Sequence, residues 1–409
     1  ALLGLAACLA GIWFSGRIGV ARMLAVYGTA SKTLPAANQA VWLTPSDPEV
    51  HYAQAQTLQR VGQMVAALPA LEQARNLQPR NYALWLELGV AYDVAGKTEA
   101  ARAAFVQAIK LAPYYAQPHW QLGNLLLRAG RRAEAFAEFQ AAINSDPSFT
   151  PNAVDLAWGA FNGKPQLIEE TLRPQTPSAR LELARVFATR GAVEDAMRLF
   201  RSVADHSANT QKERENLFTQ LMKAKHYSEA REVWAIGRES TSNHNGVGAI
   251  TNGGFEQDIN FAETGFGWRI NESKPTVIVA RDAQERQAET ASLFIRWEGK
   301  SYSSVLIASQ LVLVEPGKRY KLHFAARTKD LVSGGLPEIS VLSDFEGQPL
   351  ASVFLAEGSS DWKNYTADFT APSGKKAVVL AIRRKACSTM PCPAFGVAWF
   401  DAFSLQATS

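Results

Sequence analysis

The sequence predicts two folds in one chain: an all-α superhelical solenoid of paired helices, followed by an all-β antiparallel sandwich. Three observations carry this reading. Pro45, Pro79, Pro113 and Pro147 recur every 34 residues, with other positions in step. At ESTSNHNGVGAITNGG (239–254) the composition turns polar and glycine-rich and helical periodicity stops. Beyond it, β-branched and aromatic residues alternate with polar ones in short runs, separated by turn signals such as Pro316-Gly317, Gly334-Gly335 and Ser373-Gly374. The chain divides into an N-terminal hydrophobic helix (1–27), a helical repeat array (28–240), a linker (241–251) and the sandwich (252–409).

The first run, ALLGLAACLAGIWFS (1–15), is apolar and uncharged. A spanning helix needs about 20 such residues, so three readings stay open: the end of a membrane anchor, a signal-peptide core, or a buried helix. Leu5-Ala6-Ala7-Cys8 also resembles a lipoprotein cleavage box, although the residues after Cys8 stay apolar where lipoproteins turn polar. The expectation is a membrane anchor through this helix, at a bacterial inner membrane with the body facing the periplasm; a lipoprotein is the second choice. Arg17 and Arg22 argue the other way, since positive flanks stay in the cytoplasm. Cys387 and Cys392 are spaced to close a small disulfide loop, with free thiols or half a metal site as alternatives. A zinc site needs about four ligands, and no second Cys/His pair stands at a suitable spacing. A disulfide implies an oxidising compartment.

Within the 34-residue period, Ala67, Ala101 and Ala135 form one series, Leu71, Phe105 and Phe139 a second, Ala74, Ala108 and Ala142 a third, and Gly89 with Gly123 a fourth. Each unit reads as two antiparallel helices. Small residues sit where the helices approach, large ones fill the space between units, and proline ends the second helix. One such pair cannot bury its apolar face alone, so units stack. Residues 82–115 carry Trp85, Leu88, Gly89, Tyr92, Ala101, Phe105, Ala108 and Pro113. In type and spacing this segment resembles the full tetratricopeptide repeat signature. The next unit keeps Leu122, Gly123, Ala135, Phe139, Ala142 and Pro147, with His119 in place of the tryptophan. Ala135 and Ala196 are 61 residues apart, seven short of two periods, so the unit around 152–172 is expected to be truncated.

The resemblance implies a concave groove built from the first helix of each unit. With Trp85, Leu88, Gly89 and Tyr92 turned into the packing, a rotation of about 100° per residue puts Leu86, Val90 and Asp93 on the other side. The same count gives Tyr52, Gln56, Trp120 and Asn124. Asn124 is at the offset where related arrays hold a peptide backbone, a solvated polar residue being the alternative. The groove is apolar to neutral, which favours an extended or helical protein segment over an acidic tail.

In the C-terminal part, Asn252-Gly-Gly-Phe-Glu256 with Gly267-Trp268, VEPGKRYKLHFAAR (314–327) and Trp399-Phe-Asp-Ala-Phe-Ser-Leu405 resemble family 4/9 carbohydrate-binding modules over most of 250–407. The resemblance implies a jelly roll. It also implies a structural calcium near the first and last strands, with Glu256 and Asp401 as the matching carboxylates; turn capping by the same groups is the alternative. Sugars pack on aromatic faces, and Trp297, Tyr302, Trp362 and Tyr365 are the candidates. Trp297 alternates with Leu293 and Ile295, which also fits a core position. Arg296 and Arg327 point opposite to apolar neighbours and fit a polar face.

A net charge of +4 over 409 residues, without a basic run interleaved with aromatics, excludes nucleic acid as the expected partner. There is no glycine-rich phosphate loop and no nucleophile elbow, and the six histidines are scattered. The chain therefore reads as non-enzymatic, with no cofactor required. The expected function is an envelope-associated scaffold, its array binding a protein partner and its sandwich a polysaccharide, in exopolysaccharide or cell-wall biogenesis. The alternatives are a protein–protein adaptor without sugar binding and a glycan-processing enzyme.

Overall fold

The computed structural model describes residues 2–204, 208–236, 246–271, 276–300, 305–385, 387 and 392–408, the side chains of 2–10 and 300 excepted. The chain forms two compact units, Ala1–Asp205 and His206–Ser409.

The first unit is a series of antiparallel helix pairs: α1 (Leu2–Ser31) and α2 (Leu34–Leu43), α3 (Pro48–Arg60) and α4 (Leu68–Leu77), α5 (Tyr82–Val94) and α6 (Thr98–Leu111), α7 (Ala116–Arg128) and α8 (Arg132–Ser145), α9 (Thr150–Ala160) and α10 (Pro165–Leu172), and α11 (Pro177–Thr189) and α12 (Val193–Arg201). The last pair, α13 (Gln211–Lys223) and α14 (Tyr227–Ala235), belongs to the second unit. There Trp234 of α14 donates its Nε1–H to Glu263 at 3.0 Å and its ring meets Phe266 edge-on at 5.8 Å. Helix therefore gives way to strand later than one compact body gives way to the next.

The membrane anchor expected at 1–27 finds no support. Among the described residues no helix is long and apolar enough to cross a membrane. The C-terminal half of α1 instead packs as a repeat helix: Ala21 and Ala25 form a small core with Ala40 of α2 and Val50 of α3, and Arg22 pairs with Asp47 at 2.8 Å. On the exposed side of this half stand Arg22 and the apolar Met23, Val26 and Tyr27.

Small residues set the distance within each pair. A Cβ added at Gly123 would lie 2.6 Å from the Phe139 ring, and Gly89 stands against Phe105 in the same way. Three of the periodic prolines, and Pro174 outside that series, do more than end helices. The Pro45 carbonyl accepts from His51 Nε2 (2.8 Å), Pro79 from Trp85 Nε1 (2.8 Å), Pro113 from His119 Nε2 (3.2 Å) and Pro174 from Arg180 Nε (3.1 Å). Each bond ties the first helix of a unit to the turn that precedes it and satisfies a carbonyl left over at a helix end. His119 also donates from Nδ1 to Glu138 at 2.6 Å. Burial of its ring pushes the pKa down, but the Glu138 carboxylate and the Pro113 carbonyl outweigh this and raise it. The expected truncation is present: α10 has 8 residues against 14 in α6 and α8.

The strands of the second unit are β1 (Arg269–Ile270), β2 (Val277–Asp282), β3 (Ser292–Lys300), β4 (Ala308–Leu313), β5 (Arg319–Ser333), β6 (Pro337–Leu342), β7 (Pro349–Phe354), β8 (Gly358–Thr370), β9 (Ala377–Arg384) and β10 (Pro393–Thr408). They make two five-stranded antiparallel sheets, β1-β4-β9-β6-β7 and β2-β3-β10-β5-β8. Alternation decides the core. Leu293, Ile295 and Trp297 of β3, Leu322 and Phe324 of β5, Ile339 and Val341 of β6 and Val378, Leu380 and Ile382 of β9 all turn inward.

Candidate functional site

The outer faces of the two sheets differ. In the β1-β4-β9-β6-β7 sheet the outward Leu311, Leu313, Leu342, Val379 and Ala381 are as buried as the inward row, so this face is closed to a ligand of polymer size. The outer face of the other sheet is open only in part: Trp399 at its middle is 6% exposed, while Phe294 and Arg327 on either side are half-buried. Its middle is a cross-strand row set by register, Phe294 of β3 beside Trp399 of β10 beside Arg327 of β5. Phe294 meets the Trp399 ring edge-on at 5.8 Å, and the Arg327 guanidinium lies over that ring at 5.6 Å. Trp399 donates its Nε1–H to Asp282 at 2.9 Å, and Arg327 is paired with Glu285. One row on, Arg296, Val397 and Lys329 stand side by side, then Phe395, more than half exposed, beside Val332.

The four aromatic candidates fall in different places. Trp297 is 1% exposed and belongs to the core, so its ring faces no ligand; the alternation with Leu293 and Ile295 is the inward row of β3. Tyr365 is half-buried, its ring stacked on Phe324 at 5.2 Å and 10°, so one face is spent on the core. Tyr302 lies outside the described residues. Trp362 is half-buried in edge strand β8, in the bulge that opposes Arg327 between the Ala326–Lys363 and Thr328–Ser360 pairs. Trp399, Phe294 and Arg327 are the members that sequence reading left unassembled.

Residues 247–389 match the carbohydrate binding domain family, and residues 52–116 and 94–148 match the tetratricopeptide repeat family. The chain contains tetratricopeptide repeats and a carbohydrate-binding domain. Among solved structures, the crystal structure of MamA protein is 16% identical, spans 53% of this chain and 96% of its own, and superposes with a TM-score of 0.33. A structure of CBM4 is 14% identical over 39% of this chain and 100% of its own, with a TM-score of 0.30. No curated protein sequence matches the chain.

In the carbohydrate-binding domain, Glu256 and Asp401 both pin the segment between β2 and β3. Asp401 is fully buried; its Oδ2 accepts the N–H groups of Gln287 and Ala288, each at 2.9 Å, and its Oδ1 that of Ala402. Glu256 accepts the N–H of Thr290 at 3.0 Å. Burial pushes Asp401 above the usual carboxylate range; the three backbone N–H groups oppose this and the Glu256 charge adds to it. Gly254 separates the two: a Cβ there would lie 3.5 Å from Glu256 Oε1 and 3.7 Å from Asp401 Oδ1. Two carboxylates meeting at a bare backbone fit a cation in charge, and their oxygens already accept backbone N–H groups. Among the described residues no third His, Cys, Asp or Glu joins them, so carbonyl oxygens would have to complete the six or more ligands of a calcium ion. Near the domain's other end Cys387 and Cys392 form a disulfide, and the buried Arg384 donates to the Cys392 carbonyl and to its Sγ.

In the tetratricopeptide repeats, the proposed groove residues are partly committed elsewhere. Trp120 does not line an open groove: its ring packs 4.9 Å from Phe139 and 5.2 Å from Phe149. Asn124 donates to the Trp120 carbonyl of its own helix at 2.8 Å, and Asp93 is paired with Arg128 of the next unit. Tyr52 packs beside the core of α3 to α6 and bonds Gln56. Leu86 and Val90 are half-buried.

Proposed function

We propose that the chain is a non-enzymatic, envelope-associated scaffold, in which the repeats hold a protein segment while the open face of the β2-β3-β10-β5-β8 sheet binds a polysaccharide. Both kinds of domain found are non-catalytic. The observation that supports the reading is the edge of the row Phe294–Trp399–Arg327, where half-buried Arg327 and Trp362 stand together beside the buried Trp399. Aromatic edges and faces pack against pyranose C–H groups, and a guanidinium has donors to spare for hydroxyls after one ion pair. A row that runs across several strands suits a chain polymer rather than a single sugar. The Cys387–Cys392 disulfide supports an extracytoplasmic setting, and a polymer there is an exopolysaccharide or cell-wall glycan.

The test is retention of the full chain on a panel of soluble polysaccharides. Trp362→Ala and Arg327→Ala are each expected to weaken binding about tenfold, roughly 1.4 kcal/mol, with little change in melting temperature for Trp362→Ala. If the chain retains no glycan, or if both variants bind as the parent does, this face is not a sugar site and the protein-only adaptor takes its place.

We propose also that Glu256 and Asp401 hold a structural calcium. Bound there, the ion would supply positive charge between two carboxylates that repel each other. Chelation is expected to lower the melting temperature of the chain by several degrees, of the order that about 1–2 kcal/mol produces. Asp401→Asn should abolish the difference between chelated and calcium-loaded protein. A melting temperature indifferent to both calcium and chelator would leave the two residues as turn anchors only.

A further inference from the structure

The truncated unit carries a polar cleft of about 510 Å³, lined by Glu169, Glu170, Arg173, Arg180 and Arg198 among others. It lies where the short α10 stops, at the turn into α11. Arg173 closes α10 in the left-handed conformation, with φ 41°. Asn144 of α8 fixes the turn, accepting from the Gln175 N–H at 2.6 Å.

The three guanidinium groups are not equivalent. Arg198 is satisfied: it grips Glu169 with both Nη atoms, at 2.6 and 3.3 Å, and reaches Asp195 at 3.1 Å. Arg173 and Arg180 each spend Nε on a backbone carbonyl, Arg173 on Glu170 at 3.0 Å and Arg180 on Pro174 at 3.1 Å. Neither has a carboxylate within ion-pair distance among the described residues; beyond Nε, Arg180 Nη1 makes one long contact, 3.5 Å, to the Ser202 carbonyl.

Comparison with the other units shows what is unusual. The position of Arg180 is that of His51, Trp85 and His119, whose side-chain N–H meets the carbonyl of a proline six residues earlier. The structural bond needs only one N–H, and a ring supplies it. An arginine keeps that bond and adds a fork of further donors beside a cleft. Fixing Nε on a carbonyl also orients the fork, which lowers the entropy lost when it grips a ligand.

We infer that this cleft binds a carboxylate through Arg173 and Arg180, at a site separate from the groove of the first helices and independent of the glycan reading. A carboxylate matches a guanidinium fork two bonds at a time. The exposed Glu170 in the lining disfavours phosphate, whose two charges fall on one group, more than a carboxylate group, which carries one. The carboxylate comes either from an acidic peptide segment or from a free dicarboxylate.

The experiment uses the full chain and a fluorescein-labelled hexaglutamate peptide, read by anisotropy at physiological salt. Arg173→Gln and Arg180→His are each expected to weaken binding about tenfold or more. Arg180→His restores the ring that other units use, so the bond to Pro174 and the fold are kept while the fork is removed; an unchanged melting temperature checks this. Arg102→Gln in α6, the loss of one charge from another unit, should leave affinity unchanged. Displacement of the peptide by succinate supports a free dicarboxylate as sufficient ligand, and resistance to succinate supports a peptide carrying several carboxylates. The inference is overturned if the peptide does not bind, if Arg173→Gln and Arg180→His bind like the parent, if Arg102→Gln weakens binding equally, or if inorganic phosphate competes better than succinate.

Discussion

Trp297→Ala is expected to destabilise the sandwich unit by about 3–5 kcal/mol, the range for deleting a buried aromatic, while Trp362→Ala moves stability by less than about 1 kcal/mol. The two tryptophans lie on strands of the same sheet, and both answer the description of a sugar platform. Burial separates them. Trp297 is 1% exposed, and by register it stands between Val277 of β2 and Gly396 of β10, within the inward row. Its Nε1 finds no acceptor among the described residues. An unpaired buried N–H already costs about 1–3 kcal/mol, so Trp297→Phe, which deletes that group and keeps most of the ring, should be far milder than the alanine. Denaturant unfolding of the three variants checks the order. If Trp297→Ala left stability alone and removed glycan retention, the tryptophan would be a ligand platform after all, and the open face would lose its standing.

This contrast shows what local pattern can and cannot supply. The alternation Leu293, Ile295, Trp297 left the tryptophan open between core and sugar platform, and the structure puts it in the core. Strands β3 and β9 are legible in the sequence, because one face of each is apolar throughout. Strand β1 is not, since two residues make no period, nor is the polar start of β8 at Gly358-Ser-Ser-Asp, because an edge strand has one side with nothing to bury. The row Phe294–Trp399–Arg327 joins positions far apart in sequence. It exists only through the register of β3, β10 and β5, which no local run of residues encodes. Glu256 and Asp401 were legible as a pair by resemblance, whereas the backbone N–H groups they accept come from a segment without any motif.

The array was more legible, because its contacts repeat. Gly123 and Phe139 fall in register with Gly89 and Phe105, and each glycine meets the ring of its own unit. The proline bond left a trace that was overlooked: in four units a nitrogen-bearing side chain follows a proline by six residues, at His51, Trp85, His119 and Arg180. The signal is one of chemistry, an N–H donor, and not of residue type. A signature written in tryptophan hides it.

Phe139→Ala should produce the largest effect in the helical unit, a loss of about 3–5 kcal/mol. The ring is fully buried, packs 4.9 Å from Trp120 and 5.8 Å from Phe136, and occupies the space that the missing side chain of Gly123 leaves. Gly123→Ala alone should cost about 1–3 kcal/mol, since its Cβ would stand 2.6 Å from that ring in a pair of helices that cannot separate without loosening the next unit. In the Phe139→Ala background the ring contact is gone, only the Ala135 carbonyl at 3.1 Å still crowds the Cβ, and the helix gains from alanine's better propensity. The double variant should therefore be more stable than the two single losses added together, by about 1 kcal/mol or more. Chemical denaturation followed by helix content gives all four corners of the cycle. Strict additivity would mean that the glycine and the ring do not share one space, and that the 34-residue period is set by something other than this contact.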